Sequence, residues 1–227
     1  MHSAKLISIS AGYGNCADLT AEGVIMYCAR VSNPSNQTSS NTKLLEYCIK
    51  HKHWSIFEMQ NMVLEIDTTR AISPQILRHR SFSFQEFSQR YADVSDLMSA
   101  ELISLPLLRS QDTKNRQASH DDIPDEVKSK ISYGISELYR HSQAVYRELI
   151  ASGVAKECAR EVLPLGSPTR LYMNGTIRSW ITYIALREKN GTQLEHQMIA
   201  KSCKKIFCDN FPITAAALGG YEKDWEI

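Results

Sequence analysis

Between Arg78 and Tyr91 the chain reads RHRSFSFQEFSQRY: three arginines, a histidine, a glutamate and three serines set among aromatic residues. A guanidinium is a planar fork that matches a phosphate or the carbonyl–imide edge of a polar ring. Arg78, Arg80 and Arg90 bring three such forks close in sequence. Ionised Glu86 only accepts hydrogen bonds, whereas Ser83 and Ser88 both give and take them. Gln75 stands one helical turn before Arg78 and, on an expected helix, shares its face. Together these groups can hold a phosphate, a ribose and a polar ring. A salt-bridged surface turn is the plainer reading of an arginine-rich loop, and the order of the residues decides between the two.

The elements that position this stretch are read from periodicity. KLISIS (5–10) is expected as a short strand, TAEGVIMYCARVS (20–32) as a helix ending before Pro34, and NTKLLEYCIKH (41–51) as a helix with Leu44, Leu45, Cys48 and Ile49 on one face. SIFE (55–58) fits a capping box of Ser55 and Glu58. In NMVLEID (61–67), Met62, Leu64 and Ile66 alternate with Glu65 and Asp67, the pattern of a half-buried strand. TTRAISPQILRHR (68–80) reads as a helix capped by Thr69 or Ser73, with Pro74 in its first turn. The polar stretch 109–124 reads as a loop. Ile131, Ile135, Leu138, Val145 and Leu149 mark one long helix from Asp125 to Gly153. Further helices are expected over 155–164, 178–187 and 193–211, and a strand or turn-bearing connection over 170–177. Strands and helices do not alternate regularly, so the class is α+β, a helix-rich single domain over 1–227.

Composition narrows the partners. The chain has 227 residues, 43% of them apolar, and 26 basic against 25 acidic side chains. Nucleic-acid binders draw most of their affinity from a basic excess, so no nucleic acid is expected and any anion bound is small and held locally. No apolar run approaches the ~20 residues that span a bilayer, so no membrane partner is expected, and the opening MHSAKLISIS lacks the apolar stretch of a signal peptide. Cysteines at 16, 28, 48, 158, 203 and 208 form no CxxC pair. They read as reduced thiols of a cytoplasmic protein.

The order Arg78-His79-Arg80, seven residues, Ser88, then Arg90-Tyr91 resembles the signature of the flavin-dependent thymidylate synthases. Other segments resemble the same family: ARVS (29–32), KHKHWSIFE (50–58) with His53, Ser55 and Glu58, Gln75 before Arg78, the block 158–187 with Arg160, Arg178 and Arg187, and NGTQLEHQMIA (190–200). The resemblance implies an α+β fold with a mixed or antiparallel sheet, assembled as a homotetramer whose active sites are shared between subunits. It implies methylation of dUMP to dTMP, with methylenetetrahydrofolate giving the one-carbon unit, FAD carrying the hydride and NADPH reducing the flavin. Gln75, Ser88, Gln89, Arg90 and Arg160 are then expected around the nucleotide. Ser55, Arg78, His79, Arg80, Glu86 and Arg178 are expected around FAD, with Arg78 and Glu86 near both ligands. Arg187 is expected to face the uracil ring as the catalytic group, where a guanidinium beside N3 favours the ionised imide. Thr176 and Thr182 stand near the flavin where relatives often carry asparagine or histidine, and Gly191 where some carry histidine. Ser88 is either a nucleophile or a positioning group.

The remaining signals have plainer readings. His51 and His53 form an HxH pair without a third ligand, so no metal is expected. HDD (120–122) lies in a polar loop without the matching histidines of a metal-dependent phosphohydrolase. Gly12 and Gly14 fit no phosphate-binding fingerprint. Trp180 reads as core and Trp225 as an anchor for the chain's last segment. Lys201, Cys203, Lys204 and Lys205 read as a solvated basic helix face, open to the glutamate tail of a folate. A nucleotide sensor that kept the pocket without the chemistry is the main rival to an enzyme. Stretch 92–124 is the candidate for a folate-admitting loop.

Overall fold

In a computed structural model the alternating strand at Asn61–Thr69 (β2) buries Met62, Leu64 and Ile66 completely. The structure describes residues 2–39, 41–94, 105–189 and 191–227. With Ser3–Ile9 (β1), Phe82–Glu86 (β3) and Pro168–Thr176 (β6) it forms a four-stranded sheet in the order β1-β2-β6-β3. Cross-strand partners show that it is antiparallel. Glu65 meets Tyr172 while Asp67 meets Arg170. Gly175 lies against Phe82 while Phe87 N–H donates to Arg170 O. Lys5 pairs with Glu65 while His2 bonds Thr68.

The chain resolves into two compact units, through both of which β2, β3 and β6 run. The larger comprises Ser3–Ile66, Arg78–Gln85 and Tyr172–Ile227. Its helices are Ala21–Ala29 (α1), Lys43–Lys50 (α2), Ile177–Arg187 (α6), Leu194–Asn210 (α7) and Pro212–Leu218 (α8). Trp180 is wholly buried, stacks edge-on against Phe82 and Tyr183, and donates its indole N–H to Met62 O at 2.9 Å. The buried Glu22 carboxylate accepts the Thr214 and Ile213 amides, supplying acceptors to the first turn of α8. α7 lies along β1, where Ala4 N–H donates to Ser202 Oγ.

The smaller unit comprises Met1–His2, Asp67–Leu77 and Glu86–Leu171. It holds Ser73–Ile76 (α3), the hairpin Ser110–Gln111 (β4) with Ser119–His120 (β5), the long Asp125–Ala151 (α4) and the short Lys156–Ala159 (α5). Val94, Tyr146 and Ala159 form its small core, with Phe87, Leu149 and Ile150 packed on it.

Several expectations are corrected. The helix over 68–80 shrinks to α3, because β2 continues to Thr69 and the chain turns at Leu77–Ser81. Arg78 is therefore not on Gln75's helix. Neither Thr69 nor Ser73 caps α3; the Ser73 hydroxyl donates to Glu86 instead. Ser55 and Glu58 form no capping box, since the 3-10 helix Trp54–Glu58 starts after His53 and Glu58 turns to Arg178. The loop at 109–124 contains the β4–β5 hairpin, and Phe82–Glu86 is a strand that the arginine-rich reading passed over. Helix 155–164 is one turn of α helix followed by a 3-10 turn, Arg160–Val162. Lys204 is not on a solvated face: it is buried and pairs with Glu188. Residues 95–104 of the proposed folate loop, and Asn190 of the 190–200 segment, lie outside the described residues. Among those described, no helix is long and apolar enough to cross a membrane.

Gly175 tests this packing. A Cβ there would stand 2.4 Å from Phe82 Cδ1, inside the aromatic cluster. Gly175→Ala should therefore destabilise by about 1–3 kcal/mol and lower the melting temperature by several degrees in a thermal scan. An unchanged melting temperature would show that the ring has room to move.

Candidate active site

In the larger unit, β6 passes directly into α6, and Thr176 is the hinge. Its hydroxyl oxygen accepts the Ser179 amide at 3.2 Å, the bond of an N-cap. Arg178 and Thr182 follow on one face. Arg178 donates to the Glu58 carboxylate at 2.5 Å, and Thr182 Oγ1 donates back to Arg178 O. Both line a cleft of about 270 Å³ with Lys52, Trp54, Ile181 and Ile227. Lys52 holds a left-handed backbone at φ 58, unusual for a side-chain-bearing residue. Ser55 is exposed on the 3-10 helix that carries Glu58, and His51 and His53 both precede that helix without lying on a strand. Among the described residues no group of three or more His, Cys, Asp or Glu is placed to hold a metal ion.

Arg78, His79 and Arg80 form the turn before β3. Among the described residues the guanidiniums of Arg78 and Arg80 have no hydrogen-bond or ion-pair partner. Two exposed, unpaired arginines on one turn suit a phosphate-bearing ligand. His79 points the other way, edge-on to Tyr183 with ring centroids 4.9 Å apart. Burial, and after it the Arg187 guanidinium, push its imidazole down to about 4. It is thus neutral at pH 7, and its Nε2 accepts the Arg187 Nε–H at 2.9 Å. That bond places the ring proton on Nδ1. It also leaves both terminal nitrogens of Arg187 without a partner among the described residues. Deeper still, His196 Nε2 and Tyr183 Oη are 3.1 Å apart, and His196 Nδ1 is buried without a partner among the described residues. Burial, then Arg187 and His79, push His196 down to about 3.

The smaller unit carries the other expected residues. Glu86 ends β3, and its Oε1 accepts from Arg70 (2.6 Å), Ser73 (2.7 Å) and Thr169 (2.9 Å). Oε1 is saturated by these three donors, and among the described residues Oε2 is left open. Ser88 opens the next turn, accepting the Tyr91 and Ala92 amides on its carbonyl. Gln89 is buried, and its side-chain Nε2 has no partner among the described residues. Arg90 forks onto Glu157 Oε2 at 3.1 and 3.0 Å, and Arg160 donates to the Glu157 carbonyl. Gln75 lies in α3. The structure therefore joins Arg90 to Arg160, and Arg187 to His79. The expected flavin residues, Glu86 apart, fall in the larger unit; the expected nucleotide residues, Arg78 and Arg187 apart, fall in the smaller.

Sequence reasoning missed Arg70, Thr169, Glu157, Tyr183 and His196. Each acts on a site residue from a distant part of the chain, so no local spacing marks it.

Comparison with known proteins follows the same lines. A family described as Thymidylate synthase complementing protein matches residues 17–213. A flavin-dependent thymidylate synthase from Synechocystis sp. is 52% identical over 88% of this chain and 90% of its own. A probable flavin-dependent thymidylate synthase from Paramecium bursaria Chlorella virus 1 is 50% identical over 98% of this chain and 99% of its own. In fold the chain is similar to a UMP/dUMP methylase, PolB from Streptomyces cacaoi bound with 5-Br dUMP, with a TM-score of 0.75 at 22% identity over 95% and 93% of the two chains.

The histidines make the chain acid-sensitive in a definite window. Both titrate below the 6.5 of an ordinary histidine, so the unfolded chain takes up their protons first as pH falls. Their contribution to stability is complete above about pH 6.5 and declines as pH drops toward 4, which a melting-temperature profile will show. By NMR the His79 ring should titrate near 4. Arg187→Met should raise that midpoint without restoring 6.5, because burial is the larger cause. A parental midpoint near 6.5 would contradict the buried, arginine-facing ring.

Proposed function

The chain belongs to the thymidylate synthase complementing protein family, the flavin-dependent thymidylate synthases, and we propose that it methylates dUMP to dTMP. Methylenetetrahydrofolate gives the one-carbon unit, and NADPH supplies reducing power. The observation that carries this reading is Arg187: a neutral histidine holds its Nε, and its two terminal nitrogens are open for a planar acceptor edge.

The residues present fit the ligands. The open guanidinium fork of Arg187 matches N3 and a neighbouring carbonyl of uracil, favours the ionised imide and makes C5 more electron-rich. C5 then takes the one-carbon unit and gives up its proton. Ser88, Arg90 and Arg160 take the phosphate, which replaces Glu157 as acceptor for Arg90. The unpaired amide nitrogen of Gln89 and the open Oε2 of Glu86 supply one donor and one acceptor, and Gln75 completes the nucleotide set. Arg78, Arg80 and Arg178 would hold the diphosphate of FAD, with Ser55, Thr176 and Thr182 around them, while His79 would serve the same site from within by holding Arg187. When bound, FAD supplies the hydride. Thr176 and Thr182 serve here chiefly by fixing Arg178 and the start of α6. Residues 1–227 act as one synthase domain, assembled as a homotetramer with shared sites. Six free thiols support a reducing, cytoplasmic setting.

The absorption spectrum of the purified protein, before and after denaturation, is the first test. Bound oxidised flavin released as FAD is expected, together with thymidylate formed from dUMP. A colourless protein that takes up no FAD would end this reading. Arg187→Ala should cut thymidylate formation by about 10²–10³-fold with FAD retained, and Arg187→Lys should not restore it, since a point ammonium cannot bridge two acceptors. Light scattering should give a tetramer; a fully active monomer would contradict shared sites.

A further inference from the structure

Arg187 is the last residue of α6, and helix ends fray unless something holds them. Glu188, next in the chain, is buried. Its Oε2 accepts Lys204 Nζ at 2.6 Å, and its Oε1 accepts the Trp225 amide at 2.8 Å. The two charged side chains are 2% and 3% exposed. Lys204 also donates to Lys223 O at 2.6 Å and lies 5.1 Å from the Trp225 ring centroid. Gly219 and Gly220, both at positive φ, turn the chain back after α8 so that 221–225 closes over the pair. Trp225 is wholly buried against Phe207. An apolar pair of the same volume would spare the cost of burying two charges, but it would take their partner from the Trp225 amide and from the Lys223 carbonyl. What the carboxylate adds is direction: each oxygen has its own donor, so the backbone at 188 has one orientation.

We infer that the Glu188–Lys204 pair, closed by the 219–225 segment, is a clamp that positions Arg187. It sets the backbone from which the arginine reaches His79, and the His79 bond sets the guanidinium. Glu188 and Lys204 touch no ligand; they are positioning residues. The inference rests on the reading of Arg187 given above, and it extends the working parts of the enzyme past residue 213, where the family match ends.

The test is the double variant Glu188→Leu/Lys204→Met, which removes both charges together. Losing two buried charges and losing two side-chain bonds to backbone are opposing effects, so it should fold with a melting temperature within several degrees of the parent's and with parental FAD content. Its kcat/KM for dUMP should nevertheless fall about 10- to 100-fold, since a displacement near 1 Å is enough for a loss of that size. The His79 titration, read by NMR without any turnover, should move up as Arg187 leaves the ring. A scaffold role alone would move neither. Parental kcat/KM with an unmoved His79 midpoint overturns the clamp. If the parent forms no thymidylate, the reading of the site fails, and the His79 midpoint still decides the clamp. Should the double variant not fold, Glu188→Gln, which keeps shape and volume, is judged by the same two measurements.

Discussion

The antiparallel pairing of β2 with β6 is the constraint on which the site depends. α6 begins at Ile177, the residue after β6 ends, and the Ile177 amide donates to Gln60 O just before β2 begins. No loop lies between strand and helix to absorb an error. The register of one pair of strands thus sets the start of the helix that carries Arg178, Thr182 and Arg187. A slip of one residue would turn every side chain of β6 to the opposite face. It would also lift Trp180 from its bond to Met62 and remove the wall against which His79 stands. The closeness of Gly175 to Phe82 belongs to the same constraint, since only a residue without a side chain lets β3 lie against β6 at that point.

On that frame the arginines are organised by acceptors. Glu58 holds Arg178, Glu157 holds Arg90, and a neutral imidazole holds Arg187. The choice of acceptor matters. A carboxylate beside Arg187 would neutralise the charge on which its expected action depends; a neutral histidine orients the guanidinium and leaves the charge intact. Burial keeps that histidine neutral, and the arginine reinforces it. Glu86 is the reverse case, a carboxylate saturated on one oxygen and open on the other. Buried nitrogens on Gln89 and His196, unpaired among the described residues, cost folding free energy, about 1–3 kcal/mol each, and such costs gather where a protein keeps a group for a ligand.

Much of this was legible in the sequence. Periodicity located β1, β2, α1, α2, α4, α6 and α7 to within a few residues, because the face of a strand or helix that meets a core is written in its own order of side chains. The RHR…S…RY spacing marked the chemistry, because the fork of arginine has few substitutes. Where reading failed, a local signal competed with a distant partner. Ser73 and Glu58 look like caps by spacing, but Glu86 and Arg178 claim them. The alternation of Phe82 and Phe84 signalled β3, and the arginines beside it drew the reading toward a turn.

The sequence by itself determined the family, the residue types at the site and the helix-rich α+β class, since these depend on composition, local order and motif. The tertiary structure alone decided the partners: His79 for Arg187, Arg70 and Thr169 for Glu86, Glu157 for Arg90, and Glu188 for a lysine that reads as a surface residue. Each of these pairs spans at least 16 residues of chain. The free energy of a hydrogen bond depends on distance and burial, and neither exists along the chain until the strands have paired.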